Sequence, residues 1–139
     1  MRPSVIFILL LLLTTLIHPS HMNAQQPEPE QIVQANLEAY NDKDIEGFMS
    51  YFTEDIQIRN YDTGEVTANG TQAVREIYDR LFRASPDLHS RILKRTVFGN
   101  KVIDHEYITG RNGSADPLEL VLIYEVRGDK IHRIAVMRN

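Results

Sequence analysis

One change of rhythm divides this sequence. Up to Pro86 the apolar residues recur at spacings of three and four, the period of helices, and beyond it they fall at every second position, the period of strands. Ile32, Val33, Asn36, Leu37 and Tyr40 form one stripe of a helix expected from about Pro29 to Asn41, with the polar Asn36 inside the stripe. Asp44 can cap a short second helix whose apolar face is Ile45, Phe48, Met49 and Phe52. Ile56, Ile58 and Asn60 then alternate with Gln57, Arg59 and Tyr61 as in a half-buried strand, closed by the turn residues Asp62, Thr63 and Gly64. A third helix opens after Asn69, Gly70 and Thr71. It gathers Ala73, Val74, Ile77, Tyr78, Leu81 and Phe82 on one face and stops before Pro86.

Four alternating runs follow: Leu88–Phe98, Lys101–Gly110, Leu118–Val126 and Lys130–Arg138. Their separators, Gly99-Asn100, Asn112-Gly113 and Gly128-Asp129, are hairpin signals. Three helices, one strand between the second and third, and a four-stranded meander predict an α+β fold with a mainly antiparallel sheet. The run Leu118–Val126 is apolar on both sides, with Leu118, Leu120, Leu122 and Tyr124 on one and Val121 and Ile123 on the other. A sheet covered by helices on one face leaves the other wet. Val121 and Ile123, joined by Ile134 and Val136, therefore suggest a homodimer formed through the outer face, against the alternative of a mildly apolar exposed surface.

Ahead of the helices lies a different kind of segment. Arg2 precedes an apolar and hydroxyl run from Val5 to Ile17. Thirteen helical residues reach about 20 Å, short of the roughly 30 Å of bilayer hydrocarbon. The segment reads as a secretory signal over residues 1–24 cleaved after Ala24, which would send the protein to the periplasm or the medium with no membrane anchor. An uncleaved anchor is the competing reading, since Met22 suits the cleavage site poorly. Residues 25–29 are a polar tail, and residues 30–139 form one domain. The chain of 139 residues carries a formal charge of −4 and no cysteine. Disulfides, a thiolate nucleophile and cysteine-ligated zinc are thereby excluded, and a nucleic-acid partner is disfavoured.

Several segments carry a resemblance. The order of a helix, YNDKD, the short helix IEGFMSYF, the strand TEDIQIRN, NGTQAVREIY and strands ending in YEVRGDKIHRIAVMR resembles the nuclear transport factor 2-like superfamily, in its SnoaL-like and ketosteroid-isomerase-like branch. The likeness spans residues 30–139. It implies a cone: a strongly curved sheet wraps the helices and leaves a pocket open at one end. It also implies an inward set, in which Ile56, Ile58 and Asn60 from the first strand join His105, Tyr107 and Thr109, then Leu120, Leu122 and Tyr124, with Asn36, Tyr40, Tyr78 and Phe82 from helices.

Steroid isomerases of this fold use an aspartate base and an oxyanion site of tyrosine and protonated aspartate. At the matching positions this chain has Asn60, Asn36 and Leu122. An asparagine amide does not accept a proton near neutral pH, so that mechanism does not transfer. The acid–base candidates are then His105, which titrates near neutrality, and Tyr107 on the same strand face. The competing reading makes His105 a hydrogen-bonded core residue. The expected ligand site is Asn36, Tyr40, Ile58, Asn60, Tyr78, Phe82, Leu122 and Tyr124. Asp104 and Glu106 alternate with His105, so they are expected to point outward together and to hold no metal. Arg91, Lys94, Arg95 and Arg133 read as a solvated charged face.

Two functions fit. One is a cofactor-free isomerase-like or cyclase-like enzyme acting on a small, largely apolar carbonyl compound. The other is a non-catalytic ligand-binding or assembly domain that uses the same cleft.

Overall fold

The computed structural model describes residues 26–139. The run Val5–Ile17 and the expected cut after Ala24 lie outside these residues. Among the described helices, none is long and apolar enough to cross a membrane.

Helix α1 spans Pro29–Asp42 and begins where the sequence signals it. Pro29 sits in the first turn, where its missing N–H costs nothing, and the Glu28 N–H donates to Gln31 Oε1 at 3.1 Å. Helix α2, Ile45–Ser50, is capped by Asp44, whose carboxylate accepts from the Gly47 N–H at 3.0 Å. Phe52 does not continue α2 but opens strand β1, Phe52–Asn60, and is buried there. Strand β2, Val66–Asn69, helix α3, Gly70–Ala84, and the strands β3, His89–Phe98, β4, Lys101–Thr109, β5, Leu118–Arg127, and β6, Lys130–Arg138, complete the chain.

The sheet order is β2-β1-β6-β5-β4-β3. All neighbours are antiparallel except β1 and β6, which run parallel. Strand β2 has no counterpart in the sequence expectation. It is four residues long and exposed at both ends, so it carries too little alternation to be read. Register breaks between Ile92 and Lys94 in β3 and between Glu125 and Val126 in β5 add the local bend that curls the sheet around the helices.

The three helices bury their stripes against the concave face. Val33 and Val74 meet Ile56, Val102 and Ile131, all without measurable exposure. Each such side chain contributes on the order of 1.5–3 kcal/mol relative to exposure. Asn36 stays in the apolar stripe because its Nδ2 donates to the Phe48 carbonyl at 3.1 Å, which ties α1 to α2.

Strand β4 turns opposite to the sequence expectation. Its buried residues are Val102, Asp104, Glu106 and Ile108, so Asp104 and Glu106 face inward while His105 and Tyr107 face out. Register fixes this choice: Val102 lies opposite Tyr124 and Glu106 opposite Leu120, both on the buried face of β5. Ile134 and Val136 also point inward, opposite Tyr124 and Leu122. The outer stripe beside Val121 and Ile123 is instead made by Met137 and Ala135.

Candidate functional site

The concave face and the helices enclose a cavity of about 320 Å³. That volume lies at the small end of the range for small-molecule sites. Its walls are mostly apolar: Ile58 from β1, Leu120 and Leu122 from β5, Ile134 and Val136 from β6, and Leu37, Phe48 and Leu81 from the helices. Tyr40, Tyr78, Tyr124, Asn36, Asn60, Thr67 and Glu106 supply the polar groups, and Arg59, Arg111 and Arg138 bring positive charge.

Glu106 is the centre of the polar set. It is only 3% exposed, and both carboxyl oxygens are engaged, Oε2 by the Ser90 hydroxyl at 2.7 Å and Oε1 by the Tyr124 hydroxyl at 3.1 Å. Desolvation raises its pKa above the ordinary carboxyl value, with the Asp104 charge acting in the same direction. The Ser90 and Tyr124 hydroxyls and the more distant Arg95 pull the other way and do not overcome burial. Hydroxyls can donate or accept, so both partners can follow either protonation state of the carboxyl.

Ser90 is itself held in place. The Asn41 side chain donates to the Ser90 carbonyl at 2.9 Å and accepts from its N–H at 2.8 Å. Asn41 closes α1, so the helix end fixes the strand residue that binds Glu106. Asp104, two positions away on β4, is fully buried and forms a two-pronged pair with Arg95, Nε and one terminal nitrogen each 2.7 Å from a carboxylate oxygen. Arg95 Nη1 also donates to Gln34 on α1 at 2.9 Å. Arg95 is therefore a neutralised internal cation and not part of a solvated face.

The tyrosines are poor acids here. Burial drives Tyr40 and Tyr124 well above the usual phenol range and pushes Tyr78 up to about 12, with nearby negative charge adding to the effect. At neutral pH they are hydroxyl donors. They also form part of an aromatic wall: Phe48 lies 4.4 Å from Tyr78 between ring centroids, and Tyr40 lies 6.2 Å from Tyr78. Asn60 reaches the cavity from the end of β1, but its side-chain oxygen accepts from the N–H groups of Asp62 and Thr63, both at 2.9 Å. Only its amide nitrogen is left to serve a ligand.

The cavity lining includes Asn36, Tyr40, Ile58, Asn60, Tyr78, Leu122 and Tyr124 from the expected set. Phe82 is not among the lining residues. It is buried behind the wall, with its ring 5.6 Å from Tyr40 and 5.7 Å from Phe48. His105 and Tyr107 lie on the other side of the sheet. His105 Nε2 is 2.6 Å from Glu119 Oε1, and Arg91 stacks over the Tyr107 ring at 4.7 Å. The strand's alternation that brings Glu106 in sends both of them out. Among the described residues no group of three His, Asp or Glu side chains converges as a metal site.

The model of the SnoaL-like domain matches residues 33–134. The chain belongs to the SnoaL-like family. Its fold recurs in an uncharacterized cystatin-fold protein from Novosphingobium aromaticivorans, 28% identical, with a TM-score of 0.73 over 81% of this chain and 99% of that one. A proposed ketosteroid isomerase from Kribbella flavida is 14% identical, with a TM-score of 0.70 over 82% and 79%. A proposed polyketide cyclase from Sinorhizobium meliloti is 20% identical, with a TM-score of 0.65 over 77% and 94%. No curated protein matches the sequence. For this SnoaL-like chain, Glu106 is the cavity group that sequence reasoning missed. The available signal was two acids alternating between Val102 and Ile108 on a strand otherwise rich in β-formers.

Proposed function

We propose that this SnoaL-like domain binds a small, largely apolar carbonyl compound in its cone and transfers a proton on it without a cofactor, with Glu106 as the group that holds the proton. The observation that carries this reading is the buried, doubly hydrogen-bonded Glu106 at the cavity, the only carboxyl among its described lining residues. A neutral carboxylic acid in a desolvated site donates a strong hydrogen bond to a carbonyl oxygen and stabilises the negative charge that develops there. The phenol groups of Tyr40 and Tyr78 can add donors, and as Glu106 gives its proton to the carbonyl oxygen, the proton leaving the neighbouring carbon passes to a water molecule bound with the ligand, the reverse steps restoring both. The likeness to proteins proposed as a ketosteroid isomerase and a polyketide cyclase is compatible with carbonyl chemistry. Export through the amino-terminal segment is part of the same proposal.

A second reading, binding without turnover, draws on Asn60. Its oxygen is committed to a backbone turn, so the strand end offers no base. Solvent deuterium separates the two. A panel of cyclic and aryl ketones is incubated with the protein in D₂O, and incorporation at the carbon beside the carbonyl is followed by mass spectrometry. The enzyme reading expects incorporation that Glu106→Gln abolishes while binding persists. Binding with no incorporation by wild type leaves the carrier reading, and no binding at all by any ketone refutes both.

A further inference from the structure

Three arginines line the cavity and none has a carboxylate partner among the described residues; Arg59 is held by Gln57, whose Oε1 accepts from its Nε at 3.2 Å, which leaves Arg111 and Arg138. Arg111 lies in the 3-10 turn Arg111–Gly113 after β4, and Arg138 ends β6. The register brings them to one end of the sheet, because Ile108 in β4 lies opposite Leu118 and Leu120 in β5 lies opposite Arg138. They thus flank the start of β5 from its two sides, and both line the cavity. Among the described residues neither lies within 4.0 Å of a carboxylate, a state they share with Arg59, Arg80 and Arg91. Both charges reach the Tyr78 hydroxyl, and Arg111 also reaches that of Tyr40.

The turn that carries Arg111 is built in rather than draped over the mouth. Gly110 has φ +70°, and a Cβ there would stand 2.2 Å from the Asp87 carbonyl oxygen, so the backbone approach is open to glycine alone. The Asn112 N–H donates at 2.8 Å to Ser85 Oγ, a residue with no exposure. Arg111 is thereby held from both sides. A chain of net charge −4 has placed both guanidiniums at a cavity whose walls are mostly apolar. Arg111 is half-buried and Arg138 exposed, so both are open to a negatively charged group entering the cavity from solvent.

Resting on the carbonyl-binding reading above, we propose that the ligand is a keto acid: its carboxylate seats between Arg111 and Arg138 while its carbonyl points toward Glu106. The guanidinium fork matches a carboxylate in shape as well as charge. Glu106 lies across β5 from Arg138 with Leu120 between them, so the acid and the carbonyl are separate groups of one molecule whose apolar body lies against Leu120 and Leu122.

Titration calorimetry with two probes tests this. One is 4-oxo-4-phenylbutanoate, and the other is butyrophenone, which keeps the ketone and lacks the acid. Wild type is expected to bind the acid about tenfold more tightly or better, the worth of a charge-assisted hydrogen bond. Raising the salt concentration is expected to weaken the acid alone. Arg111→Gln and Arg138→Gln are each expected to reduce the preference and the double variant to erase it, with the ketone's affinity unchanged. That last result also shows that the cavity has survived the substitutions. Equal affinity for both probes in wild type, or an undiminished preference in the double variant, overturns the keto-acid assignment and leaves the carbonyl site standing. Failure of wild type to bind either probe counts against both.

Discussion

Replacing Glu106 by glutamine gives the sharpest test of what burial does to this carboxyl. The substitution keeps the side chain's length and one oxygen acceptor for Ser90 or Tyr124. Below the ordinary glutamate value of 4.5 the native side chain is neutral in folded and unfolded chains alike, so the two proteins should differ by no more than about 1 kcal/mol, one hydrogen bond. Above it the unfolded wild type loses the proton while the folded wild type, its pKa raised by desolvation, keeps it. The folded state then binds more protons than the unfolded one, and stability falls with rising pH by about 1.4 kcal/mol per pH unit until the folded pKa is passed. Glutamine has no proton to lose. The variant's stability minus that of wild type should therefore climb once pH exceeds 4.5 and level off when the folded pKa is passed, with every other titrating group cancelling in the difference. Urea denaturation followed by circular dichroism at pH 4, 5, 6 and 7 measures it, and in a domain this size each kcal/mol also moves Tm by about 4 °C or more. Parallel curves, or a wild type that gains on the variant as pH rises, would show that Glu106 is ionised in the folded protein and would remove it as a donor.

Arg95→Met leaves the fully buried Asp104 without its counter-charge and should cost about 3–5 kcal/mol in denaturant unfolding, with the double variant Arg95→Met, Asp104→Leu recovering most of it. A loss under about 1 kcal/mol would mean that Asp104 finds another partner. His105→Ala should leave ketone binding and deuterium incorporation unchanged and alter stability by a few tenths of a kcal/mol, because its contact with Glu119 is solvent-exposed. A loss of binding or exchange would return His105 to the site. The proposed pairing of two copies through Val121, Ile123, Ala135 and Met137 predicts twice the chain mass by light scattering and a monomer for Val121→Lys. A monomeric wild type ends that proposal.

Much of the architecture could be read from the amino acids because helix and strand periods are local. The stripe from Ile32 to Tyr40, the Asp44 cap and the turns at Gly99 and Gly128 each carry their instruction within a few residues. The face of β4 could not be read that way. Its odd positions, Ile103, His105 and Tyr107, look more apolar than its even ones, and nothing nearby reveals that Arg95 and Gln34 will neutralise Asp104 or that Ser90 and Tyr124 will hold Glu106. Those partners come from three other elements, so the strand's true inner side exists only in the assembled sheet. Tyr124 and Tyr78 were legible for the opposite reason: both lie on stripes whose parity neighbouring leucines, isoleucine and valine already fix. Phe82 shares the stripe of Tyr78, but one further helical turn carries it past the cavity into the aromatic packing behind.

The bond sequence Asn41, Ser90, Glu106, Tyr124 runs crosswise through the molecule, from a helix end over three adjacent strands. It works as a crossbeam. A change in any one member is transmitted to a helix terminus and to two strands at once, so these four positions have little freedom to evolve or to be redesigned by single steps. The side chains of Arg111 and Arg138 belong to no such chain of bonds, since they sit on separate segments. New ligand preferences in this domain should therefore arise by exchanging the two arginine side chains, while the turn at Gly110 and the bonded strands stay constant.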